Sequence, residues 1–283
     1  MTPVSHTLRK NRTTLQEGFL AAQPNTTNTT RIAQTFVDAR RDGGVVFEFP
    51  GDVPVTLDEG YAVQDAALLL ADGVVAGWKV GRINPPLDGI DRLTGPIFAD
   101  QIVMASADPV AMPVFAQGFA AAEAEFLLRI GTASHPAKST YTIDEARAMV
   151  DAVHVGIEIA SSPFPGINAL GPTVTVSDFG NNNGLVVGAD AEGWREGDVN
   201  AWPVELWIND ALIGAATSAT MLDGPFGAVR YLLEHLAARG IALSPGQWVS
   251  TGAVTGVHPV AIGDRVEARF DGRFAVHCTI KAR

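Results

Sequence analysis

Ala120-Ala121-Ala122-Glu123-Ala124-Glu125-Phe126-Leu127-Leu128 is the stretch on which the reading of the whole chain turns. Two carboxylates stand two residues apart in an otherwise apolar run. In a strand, side chains at i and i+2 leave the same face, so Glu123 and Glu125 project side by side. Two like charges this close among apolar neighbours repel each other, and a cation between them relieves that cost. The competing reading is an exposed strand edge with a charged outer face. A metal site requires the rest of the chain to supply a third ligand and a place for a substrate.

Downstream, Val155-Gly156-Ile157-Glu158-Ile159-Ala160 reads as an apolar strand interrupted by one carboxylate. A lone Glu in a strand commonly faces outward. With Glu123 and Glu125, however, Glu158 completes a three-carboxylate set suited to a hard cation, Mg²⁺ or Mn²⁺. Upstream, Val74-Val75-Ala76-Gly77-Trp78-Lys79-Val80-Gly81 reads as a strand with Lys79 on the face opposite Trp78 and Val80. Lys79 is either a solvent-facing strand lysine or a lysine held over an anionic, enolising substrate. Gly77 and Gly81 would let backbone or ligand approach closely.

Composition narrows the classes. The chain has 283 residues, 47% hydrophobic and 18% charged, which suits a globular protein with a sizeable core. The formal net charge of −11 argues against a nucleic-acid partner. The single cysteine, Cys278, excludes an internal disulfide and fits a reducing, cytoplasmic setting. The first ten residues carry no apolar core of a secretory signal, and no apolar run is long enough to span a membrane.

The remaining elements follow from local patterns. The polar residues 1–30 suggest a helical arm or a partly ordered lead-in, and Arg31 to Arg41 a helix ended by Gly43-Gly44. Val45 to Phe49 reads as a short strand. Thr56 is a candidate N-cap with Glu59 at the capping-box position, for a helix running through Leu70. Asn84 to Gly89 reads as a candidate mobile loop. A helix is expected from Thr142 to about Val153, and a strand-loop-strand over Val174 to Gly188. A hairpin turns at Asn209-Asp210, and Pro225 to Arg239 shows the clearest apolar stripe, with Gly240 as its C-cap. Strands follow over Trp248–Gly256, Asp264–Phe270 and Phe274–Ile280.

Taken in order, several of these motifs resemble one family. They are Gly77-Trp78-Lys79-Val80-Gly81, Glu123-Ala124-Glu125, Gly156-Ile157-Glu158-Ile159, Ser177-Asp178 before a Gly/Asn loop, the helix from Pro225, and Ser250-Thr251-Gly252 before Gly263-Asp264. Over roughly residues 31–280 the chain resembles the hydratase/decarboxylase branch of the fumarylacetoacetate hydrolase superfamily, the branch of 2-keto-4-pentenoate hydratase and 4-oxalocrotonate decarboxylase. The resemblance implies an α+β fold, a mixed β-sandwich or roll with flanking helices. It divides the chain into a smaller N-terminal part, 1–72, and a catalytic domain, 73–283. It implies Glu123, Glu125 and Glu158 as metal ligands and Lys79 as the catalytic lysine. Arg82, Asp178, Thr251 and Gly252 are the expected substrate-binding residues.

The implied activity is hydration of a 2-hydroxy-2,4-dienoate or 2-oxo-alkenoate through a metal-stabilised enolate, with Mg²⁺ or Mn²⁺ as cofactor. Loss of CO₂ from a 2-oxo-dioate, C–C hydrolysis and non-catalytic binding of a small acid are the alternatives. Burial or a nearby cation is expected to lower the Lys79 pKa. The expected partners are a small 2-oxo or 2-hydroxy acid and further copies of the chain, in a homo-oligomer built from dimers. Three departures from the family pattern bear on the substrate. Leu93 stands near the place of a family acid, with Asp91 as a candidate replacement. Phe179 follows Asp178, and Arg82 sits near the expected mouth. His154 is a candidate partner for Glu158. His135, His235, His258 and His277 read as ordinary surface or strand residues, and His6 lies in the divergent arm.

Overall fold

The acidic stretch lies on a long strand inside a large mixed sheet, paired on both sides. The computed structural model describes residues 26–283, so residues 1–25 of the arm expected over 1–30 lie outside the described residues, and 26–30 form the first turns of the helix that continues to Asp42. The strands run β1 (Val75–Leu87), β2 (Ile90–Phe98), β3 (Ile102–Met104), β4 (Val110–Val114), β5 (Phe119–Ile130), β6 (Val150–Ser162), β7 (Asn182–Asp190), β8 (Pro203–Ile208), β9 (Ala211–Thr217), β10 (Trp248–Ser250), β11 (His258–Pro259), β12 (Arg265–Phe270) and β13 (Phe274–Ala282). The helices are α1 (Thr26–Asp42), α2 (Leu57–Leu70), α3 (Ile143–Ala148), α4 (Pro172–Ser177) and α5 (Gly224–Ala238).

Eight strands form one sheet in the order β2-β1-β10-β5-β6-β7-β3, with β11 paired to β5. Five form a second, in the order β4-β13-β12-β8-β9. Both are mixed: β1/β10, β3/β7 and β4/β13 pair parallel, and the other pairs run antiparallel. The architecture is α+β, as expected.

The two faces of β5 divide the chemistry. Ala122, Ala124, Phe126 and Leu128 join Val155, Ile157 and Ile159 of β6 in the main core. That core also takes Leu206, Val266, Ala268, Phe270 and Val276 from the second sheet and Leu232 and Leu233 from α5. Burying Phe126 and Phe270, whose rings meet edge-on at 5.3 Å, contributes about 1.5–3 kcal/mol for each side chain. The alternate residues, Glu123 and Glu125, therefore face the other way, toward the site.

Helices α1 and α2 cover that other side. Ile32, Phe36 and Val37 of α1 pack with Phe98, Phe164, Val174 and Phe179 in one apolar cluster. Thr56 caps α2 by accepting from the Glu59 amide at 3.2 Å. The Glu59 carboxylate takes the Val55 amide at 2.6 Å, one residue earlier than a capping box requires.

Several local expectations are corrected. Val45 to Phe49 is not a strand: it bends, with Val46 donating to Pro163 O at 2.9 Å just past the end of β6, and Pro50 follows. Asn84 to Gly89 is not a loop. β1 continues to Leu87, and Asp88-Gly89, at φ 50° and 80°, makes a tight hairpin to β2. The strand tolerates Pro85 and Pro86 because β10 pairs only with residues 77–79 and leaves that edge of β1 free. α3 stops at Ala148, since β6 starts at Val150 to pair with Ile130.

Val174 to Ser177 is helical instead of extended. Burial of Val174 and Val176 outweighs the β-branched preference for strand. Only Trp248–Ser250 of the predicted Trp248–Gly256 strand is extended in the sheet, because Gly252 at φ 105° turns the chain away. The hairpin at Asn209-Asp210, the helix into Gly240 and the final two strands stand as expected.

Candidate metal centre

Four adjacent strands carry the site across the sheet. In register, Lys79 of β1 lies beside Ser250 of β10, and Ser250 beside Leu127 of β5. Glu123 of β5 stands opposite Glu158 of β6. Residues far apart in sequence thus meet because β10 slots between β1 and β5. One carboxylate oxygen from each of Glu123, Glu125 and Glu158 lies within 4.8 Å of the others. Lys79 Nζ is 3.2 Å from Glu158 Oε1. Lys79 and Glu123 are 5% exposed, and Glu125 and Glu158 are fully buried. A solvent-facing Lys79 and a charged outer strand face are both excluded.

Each carboxylate is held by donors. Ser250 Oγ donates to Glu125 Oε2, and the Gly252 amide donates to the same oxygen at 3.0 Å. Asn182 Nδ2 donates to Glu158 Oε1 at 2.8 Å. Gly252 adopts φ 105°, a conformation that glycine alone takes freely, and this aims its N–H at Glu125. Gly77 is needed for a different reason. A Cβ there would meet Trp248 O at 2.5 Å, so only glycine lets β10 pack against β1.

Burial raises the Glu123 pKa to about 7, with Lys79 opposing and Glu158 adding to the shift. Burial and the charges of Glu158 and Glu123 hold Glu125 well above the ordinary carboxylate range. Burial alone would lower the Lys79 ammonium, but the carboxylates, Glu158 first, more than offset it and hold it above the ordinary lysine range. In the protein alone the shift is therefore upward, opposite to the expectation, because three acids surround one base.

The residues fit a divalent cation. Once all three are ionised, three carboxylates against one ammonium leave two negative charges in a buried space, and the raised pKa values of Glu123 and Glu125 show the cost of that excess without a cation. Glu125 Oε1 is buried without a hydrogen-bond partner. An oxygen-ligated hard cation satisfies both the excess charge and the orphan atom.

A cavity of about 930 Å³ opens above these groups. Lys79, Glu123, Arg82, Thr251 and Gly252 line it. Thr251 Oγ1 is committed to Phe126 O at 2.8 Å. Asp178 does not reach the cavity. It is buried in an ion pair with Arg40, whose Nη2 donates to Oδ2 at 2.9 Å, so the expected substrate contact is instead a structural anchor. Leu93 lines the cavity and Asp91 does not, and Arg92 lines it beside Leu93. His154 does not serve Glu158: its Nδ1 donates to Gly188 O at 2.9 Å, and its ring meets Trp248 edge-on. His235 is no surface residue either. It lies on α5 between Tyr61 and Tyr231, where burial, aided by Arg239, pushes its pKa down to about 3.

Sequence reasoning missed Ser250, Asn182, Arg40 and Arg92. Arg40 carried a readable signal, since it falls four residues after Phe36 and eight after Ile32, on the buried stripe of α1. Its guanidinium also donates to Asn182 O and Ser161 O, both at 3.1 Å, between the Phe115 and Phe179 rings. Ser250 and Asn182 owe their roles to strand register, which no local pattern announces.

No family model matches the chain. A 2-keto-4-pentenoate hydratase of Dechloromonas aromatica is 29% identical over 226 residues, 76% of this chain and 82% of that protein. A 4-oxalocrotonate decarboxylase of a Pseudomonas species is 27% identical over 108 residues, so the match spans only 39% of that relative. Among solved structures, 4-oxalocrotonate decarboxylase from Pseudomonas putida, complexed with magnesium and adipate, superposes with a TM-score of 0.77 at 20% identity, over 91% of this chain and 99% of that one. Fumarylpyruvate hydrolase from Pseudomonas aeruginosa, in complex with Mn²⁺ and pyruvate, gives 0.53 at 17% identity, over 73% and 89%. In sequence the chain is thus similar to a 2-keto-4-pentenoate hydratase and to a 4-oxalocrotonate decarboxylase, and in fold to the solved decarboxylase and fumarylpyruvate hydrolase structures.

Proposed function

We propose that the chain is a divalent-metal-dependent lyase that acts on a short 2-oxo acid or its 2-hydroxy-dienoate form, with Glu123, Glu125 and Glu158 as the ligands of Mg²⁺ or Mn²⁺. The observation that carries this reading is the buried three-carboxylate cluster with Lys79 at 3.2 Å, at the floor of the cavity. When bound, the cation supplies positive charge that stabilises the negative charge developing on the acid.

The chain's own groups do the rest. Ser250 Oγ and the Gly252 amide fix Glu125, and Asn182 fixes Glu158, so the ligands are oriented before anything binds. Lys79 Nζ donates to the substrate's 2-oxygen and relays a proton: it delivers one to the carbon skeleton and regains one from the 2-hydroxyl as the enol collapses to the ketone. Val80, Leu93, Met221 and Val254 wall the cavity and limit the water that reaches the reacting carbons. Among the described residues no histidine lines the cavity, which leaves the His-activated water of a C–C hydrolase without a base there.

Hydration is the first reading, because the hydratase match extends over most of both chains. Decarboxylation is the second, favoured by the decarboxylase matches in sequence and fold. Both reactions pass through one enolate, so the same groups serve either. The test is turnover of 2-hydroxy-dienoates and 2-oxo-dioates with Mg²⁺ or Mn²⁺, and with chelator. Full activity in chelator, or in Glu123→Ala, sinks the reading.

A further inference from the structure

Among the described residues, the deeply buried polar side chains that line the cavity are Lys79, Arg92, Glu123, Asn181 and Thr251. Four of these have a task. Lys79 pairs with Glu158, Glu123 belongs to the carboxylate cluster, Arg92 is ion-paired to Asp223, and Thr251 is bonded to Phe126 O. Asn181 is different. It is 4% exposed, and its Oδ1 is buried and takes no hydrogen bond from the described residues. A buried amide oxygen left unpaired is costly, so a donor from outside the chain is the natural partner for it.

The backbone is held in a strained path to put Asn181 there. Phe179, Gly180 and Asn181 stand at φ 53°, 65° and 64°, left-handed residues in succession, of which only the glycine adopts that region freely. Both ends of the run are pinned. The Asn181 amide donates to Asp178 O at 2.8 Å, while Arg40 holds the Asp178 carboxylate and the Asn182 carbonyl. Gly95 gives the run its space, since a Cβ there would collide with Phe179 O. The result places Asn181 at the reacting end of the cavity. A Cβ on Gly180 would lie 3.3 Å from Lys79 Cδ, and Asn182 bonds the Glu158 oxygen that Lys79 also approaches.

The free atom is an acceptor, so its partner is an O–H group. A substrate carboxylate and 2-oxygen turned toward the cation and Lys79 present no donor to it, and water does. A neutral amide orients a water but does not take its proton. We propose that Asn181 holds the water that adds to the substrate, accepting one of its hydrogens at Oδ1 and turning a lone pair of the water oxygen toward the conjugated carbon. The inference rests on the hydration reading above. In the step, the water oxygen bonds to the carbon β to the ketone, and the π pair of the double bond moves toward the α carbon and the 2-oxygen. Lys79 gives a proton to the α carbon, and the proton that the added water sheds returns to Lys79. One water is consumed and Lys79 ends as it began. Loss of CO₂ consumes no such water, so Asn181 is where the two reactions part.

The experiment follows a 2-hydroxy-2,4-dienoate in deuterated buffer with Mg²⁺, by NMR. Deuterium entering the γ carbon reads ketonisation, and the hydroxylated β carbon reads hydration. Asn181→Gly, which the φ of 64° accommodates, is expected to lower the ratio of hydration to ketonisation at least about tenfold. Asn181→Asp, which keeps an acceptor, is expected to retain more of the ratio than Asn181→Gly. The ratio is internal to each preparation, so partial misfolding does not mimic the result. An unchanged ratio in Asn181→Gly, including a parallel fall of both rates, overturns the inference, and so does a ratio in Asn181→Asp as low as in Asn181→Gly. Absence of hydration in the native chain also overturns it. Where ketonisation or loss of CO₂ from a 2-oxo-dioate then persists, the 2-oxo acid reading stands, and where neither occurs both fall.

Discussion

Lys79 Nζ and Glu158 Oε1 lie 3.2 Å apart on strands that are not neighbours, and the same oxygen accepts from Asn182 at 2.8 Å. One oxygen thus ties the base of the site to a ligand of its metal. Removing Lys79 removes the positive charge set against three buried carboxylates. Lys79→Met is expected to lower kcat/KM about 10²–10⁴-fold while Mn²⁺ still binds. Steady-state kinetics beside a calorimetric Mn²⁺ titration checks this. Near-native turnover would show that the lysine is not the proton donor.

The raised acid pKa values set a pH dependence with a definite sign. Glu123 titrates near 7 in the fold against an ordinary value of 4.5, and Glu125 is also raised. The folded state holds these protons more tightly than the unfolded chain. The stability they contribute is fully present below about pH 4.5 and is lost as pH rises through about 7. Metal-free protein is therefore expected to melt at lower temperature as pH rises across that window. Saturating Mn²⁺ should raise the midpoint more at about pH 7.5 than at about pH 5, because protons and cation compete for the same oxygens. Equal shifts at both pH values would contradict the site.

Ser250 touches no solvent, yet its hydroxyl donates to Glu125 and lies 3.4 Å from a Glu158 oxygen. Ser250→Ala is expected to weaken Mn²⁺ binding about 10–100-fold, since donors behind the ligands orient them. Ser250→Thr, which keeps the hydroxyl, is the control. Calorimetry reads the affinity, and circular dichroism confirms that the fold persists.

The Arg40–Asp178 pair anchors α1 to the segment that leads into β7. Breaking it strands one buried charge. Arg40→Met is expected to cost about 3–5 kcal/mol in urea unfolding, and Arg40→Met with Asp178→Leu less than the single change. A single change costing under about 1 kcal/mol would mean that the pair sits in a more solvated place than its burial indicates.

The legible part of the fold was the part written in local patterns. The cap of α2, the start of α3, the stripe of α5 and the turn at Asn209-Asp210 follow from a few adjacent residues. The errors fell where tertiary packing overrode such patterns. Val174 to Ser177 has β-branched residues but helical geometry, and Val45 to Phe49 is apolar but bends instead of pairing as a strand. Asp88-Gly89 was a readable hairpin turn hidden by the prolines before it.

For the site, period-two alternation was enough to set Glu123 and Glu125 on one face, because strand geometry admits no other outcome. It also sufficed to pick out Glu158 and Lys79 as charges in apolar strands, which are costly without partners. What local pattern did not contain was strand order. β10, whose Ser250 lies 125 residues after Glu125 of β5, enters between β5 and β1 and brings Ser250 and Gly252 to Glu125. The same assembly turned Asp178 away from the cavity toward Arg40, and set Arg82 opposite Arg92. These relations are long-range pairings, chosen by which apolar faces bury one another, and only the packed sheets decide them.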